Sequence, residues 1–198
     1  MMYRKLFFVG IILFLSWISF GFAEDYTLQY FLGKASTKDY ELSKKEKTEL
    51  LNRMNEMLEK TQQVHKHLAQ AIQGGEITME YQEGRFWMAK LEEDRGSIET
   101  GLQQLELLKE KPNHLAGSIK LYKSLRDLSV NFNAYNNTPL LSAYVGDLAP
   151  EIELWADPVF FKLYLLSLAD SKDRDMNKEV PKKEKKPVPK DKKPVPKK

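Results

Sequence analysis

The side chains that could carry out metal or redox chemistry are few in this sequence and are poorly grouped. Its three histidines are His65, His67 and His114, and the first two point about 200° apart on a helix, so they cannot bind one metal ion together. The His-Glu-x-x-His and Glu-x-x-His patterns of zinc and di-iron sites do not occur. His65 could hold haem or copper together with Met54 or with a residue of a partner helix, and Met54-x-x-Met57 could bind a soft metal. Helix-flank histidines and core methionines are far more common, so we expect no metal and no cofactor.

Residues for acid–base or nucleophilic catalysis are similarly sparse. Glu92, Glu93 and Asp94 are contiguous, whereas catalysis by paired carboxyls needs two groups that converge on one cleft in different environments. The Gly-x-Ser-x-Gly and phosphate-binding glycine patterns are absent, and zero cysteines exclude thiol nucleophiles and disulfides. The sequence therefore predicts a protein that is not an enzyme.

Charge is distributed unevenly along the 198 residues, whose formal net charge is +3. Residues 1–23 carry +2, residues 24–177 carry −6 and residues 178–198 carry +7. A basic tail on an acidic body is typical of a tail that interacts with a partner.

The first 23 residues have the features of a secretory signal. Arg4 and Lys5 precede an apolar run over residues 6–20, and the small residues Gly21 and Ala23 follow it. We expect cleavage after Ala23 and export to a bacterial periplasm or cell envelope, where proteins without disulfides are common. An uncleaved anchor is the alternative, although the run is shorter than the roughly 20 residues that a spanning helix needs.

Two long helical patterns follow a mixed aromatic lead-in at residues 24–42. Ser43 and Glu46 have the spacing of a capping box, and apolar residues then recur at steps of three and four until Gly74-Gly75. A second stripe begins near Thr78 and runs to about residue 111, with a polar step at residues 94–95. Two long helices joined by a glycine turn predict an antiparallel αα-hairpin.

Shorter helices are expected after the hairpin. Residues 113–135 form one pattern with Asn113 as its cap, and Thr138-Pro139 opens a short helix to about residue 148. Pro150 is expected to interrupt the chain before a last helix over residues 157–169 that starts with Asp157-Pro158. The predicted fold class is all-α: a three- to four-helix bundle over residues 43–171, in which the hairpin packs against shorter C-terminal helices.

The last helix is apolar on all sides, because its two polar residues, Lys162 and Ser167, lie on different faces. One interpretation is that the helix lies at the centre of the bundle. The other is that a partner protein or a second copy covers one side of it. The candidate partner surface consists of Phe160, Phe161, Tyr164 and Leu165.

The segment at residues 172–198 repeats the dipeptide Val-Pro and is rich in lysine. With almost no apolar side chains it cannot bury a core, so we expect a disordered C-terminal tail biased toward polyproline II. Its candidate contacts for an anionic polymer are Lys182, Lys183, Lys185, Lys186, Lys190, Lys192, Lys193, Lys197 and Lys198.

These features together predict an exported, non-catalytic helical scaffold or adaptor whose basic tail contacts an anionic membrane or wall polymer. Nucleic acid is disfavoured as a partner by the export signal and by the lack of aromatic residues among the tail lysines. One alternative is a periplasmic, chaperone-like bundle that holds an apolar ligand or client against the last helix. A metal- or haem-binding bundle is the least favoured alternative.

Overall fold

The computed structural model describes residues 26–37 and 41–171, which are helical apart from short connections. Their elements are α1 (Leu28–Ser36), α2 (Lys44–Gln73), α3 (Tyr81–Glu110), α4 (Leu115–Asn136), α5 (Pro139–Val145), α6 (Leu148–Leu154) and a π-helical segment (Trp155–Leu166). No strand occurs in these residues, and the predicted all-α fold class is confirmed. The predicted signal (1–23) and basic tail (172–198) lie outside the described residues.

Helices α2 and α3 form the long antiparallel hairpin. The predicted capping box is present, since the Ser43 side chain accepts from the backbone N–H of Glu46 at 3.3 Å and the Glu46 carboxylate accepts from the backbone N–H of Ser43 at 2.7 Å. Helix α2 ends at Gly74, and Gly75 has a φ of 73°, which glycine adopts without strain. Helix α3 then begins at Tyr81, three residues after the predicted start at Thr78.

Helix α4 packs along α3 and completes a three-helix core. The three helices approach closely at Gly101, where an added Cβ would lie 2.8 Å from Leu58 Cδ1 on α2 and 3.7 Å from Ser124 Cβ on α4. The cap of α4 is His114 rather than the predicted Asn113, because the imidazole Nδ1 of His114 accepts from the backbone N–H of Gly117 at 2.9 Å.

Two prolines that were expected to mark helix boundaries lie inside helical structure. Pro150 falls in the first turn of α6, where a missing N–H costs no intrahelical bond, so the boundary before it lies at Gly146 instead. Pro158 does not open the last helix, because the chain runs without a break from α6 into the π segment. The wider π-helical turn relieves the clash between a proline ring and the preceding carbonyl that an α-helix would impose.

Helix α1 lies in the lead-in, for which no helix is predicted. The Thr27 hydroxyl caps it by accepting from the backbone N–H of Tyr30 at 3.3 Å. Phe31 is fully buried, with its ring centroid 6.0 Å from that of Trp155 in the π segment. Lys34 and Tyr30 both donate to Glu46 on α2, so α1 is held by tertiary contacts rather than by a periodic pattern of its own.

Candidate functional site

A buried carboxylate lies in the middle of the three-helix core. Asp94 on α3 has no exposed surface, and its two oxygens accept from the Tyr135 hydroxyl at 2.5 Å and from the Asn131 amide at 2.6 Å. Both donors come from α4. Of the polar step in the α3 stripe, Asp94 is therefore part of the core, whereas Arg95 is exposed.

Burial governs the protonation of this group. It raises the pKa of Asp94 above the ordinary value, and the donated hydrogen bonds together with the charges of His65 and Lys90 oppose that rise only in part. Burial and the nearby Asp94 carboxylate also raise the pKa of Tyr135, so this hydroxyl remains a donor. Both donors to the Asp94 carboxylate are neutral. Among the described residues, the cations near it act at a distance and are not hydrogen-bonded to it.

His65 supports the same layer from α2. Its Nε2 lies 2.6 Å from the carbonyl oxygen of Leu91, and because a carbonyl only accepts, Nε2 must carry the proton. Met54 lies about 16 Å away along the same helix, so the two cannot bind one metal. Within the part of the chain that the structure describes, no three His, Asp or Glu side chains are grouped as a metal site would require.

The carboxylate triplet does not converge on a cleft. Glu92 and Glu93 are exposed and pair with Arg95 and Lys90 of their own helix, whereas Asp94 points into the core. Because Asp94 is closed off from solvent, its cluster stabilises the fold and offers no path for a substrate.

An open apolar groove lies where the hairpin turns, and we call it the glycine-end groove. Its volume is about 540 Å³. Its lining residues come from the end of α2, the turn and the start of α3: Ile72, Gln73, Gly75, Ile77, Thr78, Met79, Glu80, Tyr81, Gly84, Arg85 and Met88. Tyr81 is 78% exposed, and nearby Phe86 is 54% exposed. Two large aromatic side chains are thus left in solvent at this end.

A second, basic pocket lies at the opposite end of the hairpin, and we call it the lysine-end pocket. Its volume is about 340 Å³, and its lining residues are Lys44, Lys47, Thr48, Leu51, Leu108, Lys109, Pro112 and Asn113. The chain reaches the end of the described structure close to this pocket. The Tyr164 hydroxyl donates to the carbonyl oxygen of Pro112 at 2.8 Å, and the helix ends seven residues later at Ser171.

The residues considered as a partner surface are mostly inside the molecule. Phe160 has no exposed surface, and Tyr164 and Leu165 are buried. Phe161 is half-buried, with its ring centroid 5.1 Å from that of Tyr122. The chain itself therefore covers most of this helix, as in the interpretation that puts it at the centre of the bundle.

The nine tail lysines considered as anionic contacts, residues 182–198, lie outside the described residues. Among the helices of residues 26–37 and 41–171, none combines the length and the apolar character that a membrane span requires.

Two features of the ends are not predicted from the sequence as sites. No sequence motif singles out Lys44 or Lys47 as a site, and the position of Lys109 next to them depends on the hairpin pairing. Tyr81 and Phe86 fall outside the apolar stripe of α3, which is the one signal that indicates exposure. Comparison with known proteins gives no family assignment, since no family model, no curated protein and no solved structure matches the chain.

Proposed function

We propose that this protein is an exported, non-catalytic scaffold or adaptor whose basic tail contacts anionic envelope material, such as acidic lipid or wall polymer. The observation that carries the proposal is the position at which the tail begins. The tail, residues 172–198, follows Ser171. Seven residues before Ser171, the Tyr164 hydroxyl donates to the carbonyl oxygen of Pro112 in the lysine-end pocket. The +7 of residues 178–198 is therefore attached at the basic end of an otherwise acidic body.

Two lysines of this pocket also reduce the stability of the helix that carries them. Lys44 and Lys47 lie in the first turn of α2, where the partial positive charge of the helix terminus disfavours cations. Glu46 and the capping box offset part of this cost. Because these lysines disfavour the helix locally, their presence is better explained by binding of an anionic partner than by a contribution to the fold.

The polar groups in the interior support a non-catalytic role. Among the described residues, Asp94 is the carboxylate with the deepest burial, and its partners Tyr135 and Asn131 already satisfy it. A group that is closed to solvent and fully bonded cannot exchange protons with a substrate without local unfolding.

The alternative, an apolar ligand or client held against the last helix, is the weaker proposal. Phe160, Tyr164 and Leu165 are buried by the chain's own helices, so a ligand would first have to displace them. Lys162 adds to this closure by donating to the Ala35 carbonyl of α1.

The proposal can be tested by cosedimentation with anionic vesicles and with isolated cell-wall material. The exported form from Glu24 to Lys198 is compared with a version that ends at Asn177, over a series of salt concentrations. Each basic residue near an anionic surface contributes about 1 kcal/mol at low salt. We expect the full-length form to bind tightly at low salt and to be released as salt rises, while the truncated form binds many-fold more weakly.

Neutral vesicles of the same size serve as the control for non-specific sedimentation. Equal binding of the two forms to the anionic material would contradict the proposal. Binding that does not change with salt would contradict it as well, because counterion screening must weaken an electrostatic contact.

A further inference from the structure

We infer that the glycine-end groove binds a Pro-Val-Pro-Lys segment of the chain's own tail. This sequence occurs twice, at residues 187–190 and 194–197. The inference goes beyond the proposed function, because it concerns an intramolecular contact of the tail and not its contact with the envelope.

The chemistry of the groove fits a proline-rich segment. Polyproline II ligands dock on grooves lined by aromatic and apolar side chains, since the extended proline ring surface packs flat against them with little loss of entropy. Tyr81 forms one wall, with 78% of its surface free for such a contact. Ile77, Met79 and Met88 supply the apolar floor, and methionine adapts readily to irregular ligand surfaces.

The charges around the groove complement the lysines of the segment. Glu76, Glu80 and Glu83 are exposed at this end, while the only cation that lines the groove is Arg85, whose guanidinium lies 5.9 Å from the centre of the Tyr81 ring. The rim is therefore net acidic. Each segment ends in a lysine, which can pair with this rim when the prolines occupy the floor.

The length of the tail selects these two segments. The groove and the lysine-end pocket are separated by the length of α2, which is about 45 Å for 30 residues. At about 3.1 Å per residue, a polyproline II chain that leaves Ser171 spans about 28 Å by Val180, about 50 Å by Pro187 and about 71 Å by Pro194. The first Val-Pro dipeptide is too close to Ser171 to reach the groove, and it also lacks the preceding proline.

Attachment to the same chain makes a weak contact effective. A tethered segment is present at an effective concentration in the millimolar range when its length matches the distance that it must span. An individual contact between one Pro-Val-Pro-Lys segment and the groove would then be substantially occupied even though the free peptide binds weakly.

The test is paramagnetic relaxation enhancement in methionine-methyl NMR spectra of the exported form. The natural chain has no cysteine, so Lys193→Cys allows one spin label to be attached between the two segments. Met79 and Met88 line the groove, whereas Met54 and Met57 are buried in the core and act as internal references. We expect the Met79 and Met88 signals to lose most of their intensity, and the Met54 and Met57 signals to be affected far less.

Two variants separate the motif from charge alone. Replacing Pro187, Pro189, Pro194 and Pro196 by alanine keeps every lysine, and Tyr81→Ala removes the aromatic wall. Each should restore the Met79 and Met88 signals at least severalfold. Ile119→Ala, which removes an exposed apolar side chain on α4, is the matched control and should change nothing.

Loss of signal that survives the proline replacements would overturn the inference, because charge alone would then hold the tail. Equal intensity losses for the groove methionines and the core methionines in the spin-labelled chain, before any further substitution, would overturn it as well. Mixing spin-labelled chain with unlabelled, isotope-enriched chain tests for capture by a second copy. The Met79 and Met88 signals could broaden in that mixture as strongly as in the chain that carries both the spin label and the isotope. The groove would then bind the tail of another molecule, which would contradict an intramolecular contact. None of these outcomes depends on binding to anionic material.

Discussion

The middle of the bundle and its two ends use polar side chains in opposite ways. In the middle, Asp94 is enclosed by Tyr135 and Asn131, and every group of the cluster is bonded to another. At the ends, the lysine-end pocket and the glycine-end groove are open, and Lys44, Glu80 and Arg85 of their linings are exposed. The polar groups that hold the fold together are thus separate from the polar groups that are available to a partner.

Glu46 is a second buried carboxylate, and although it lies at the lysine end it can be compared directly with Asp94. Lys34, Tyr30 and the backbone N–H of Ser43 donate to it, and these bonds outweigh its desolvation and lower its pKa to about 2. Asp94, bonded only to neutral donors, has its pKa raised instead. A direct cation and a backbone donor stabilise the anion, whereas burial among neutral donors disfavours it.

The largest effect on stability is expected from Asp94→Ala. Removing the carboxylate leaves the buried Tyr135 hydroxyl and the half-buried Asn131 amide without their acceptor, which should lower the free energy of unfolding by about 2–3 kcal/mol. Urea unfolding followed by circular dichroism measures this change. Asp94→Asn retains an acceptor oxygen and should cost clearly less. A stable Asp94→Ala variant would show that the cluster does not hold the three helices together.

Acid should weaken the contact at Glu46. Because its folded-state pKa of about 2 lies below the ordinary value of 4.5, Glu46 stabilises the fold above pH 4.5 and loses that contribution as pH falls toward 2. The difference in unfolding free energy between the natural chain and Glu46→Gln should therefore be largest near neutral pH and shrink on acidification. Glu41→Gln, at an exposed position, is the control. A difference that grows on acidification would contradict the assignment.

Tyr81→Ala should change the free energy of unfolding by less than about 0.5 kcal/mol, because an exposed side chain contributes few buried contacts. Urea unfolding of this variant and of the natural chain provides the measurement. A loss of several times this size would mean that Tyr81 belongs to the core and is not a free wall of the groove.

A modest effect on stability, opposite in sign to the others, is expected from Lys44→Glu combined with Lys47→Glu. Replacing cations by anions in the first turn of α2 should raise the free energy of unfolding by about 0.3–1 kcal/mol. The same variant should bind anionic vesicles several-fold more weakly. Lys60→Glu with Lys66→Glu makes the same change in net charge farther along α2. If both pairs weaken binding equally, net charge and not the lysine-end pocket determines the contact.

The hairpin could be predicted from the sequence because its signals are local. Each of its signals involves residues that are only a few positions apart. These signals are the Ser43–Glu46 capping box, the stripe at steps of three and four and the Gly74-Gly75 turn. Helix α1 could not be predicted, since its stability depends on burying Phe31 against Trp155, more than a hundred residues away. The π-helical turns around Pro158 could not be predicted either, because a proline normally marks a helix boundary.

The candidate sites were less predictable than the fold. A periodic pattern does not distinguish a buried polar residue from an exposed one, and the partners of Asp94 lie 37 and 41 residues along the chain. The glycine-end groove and the lysine-end pocket exist only once α2 and α3 pair in register. The contrast between an acidic body and a basic tail, however, is visible in the sequence alone.

The most direct test of the proposed function is the orientation of the body on an anionic vesicle. Asn113→Cys at the lysine-end pocket and Gln82→Cys beside the glycine-end groove each provide a single site for a fluorescent label in this cysteine-free chain. With vesicles that carry quencher-bearing lipids, we predict strong quenching of the label at position 113 and little at position 82. Equal quenching at both positions, or stronger quenching at position 82, would contradict an adaptor held to the envelope by its lysine end.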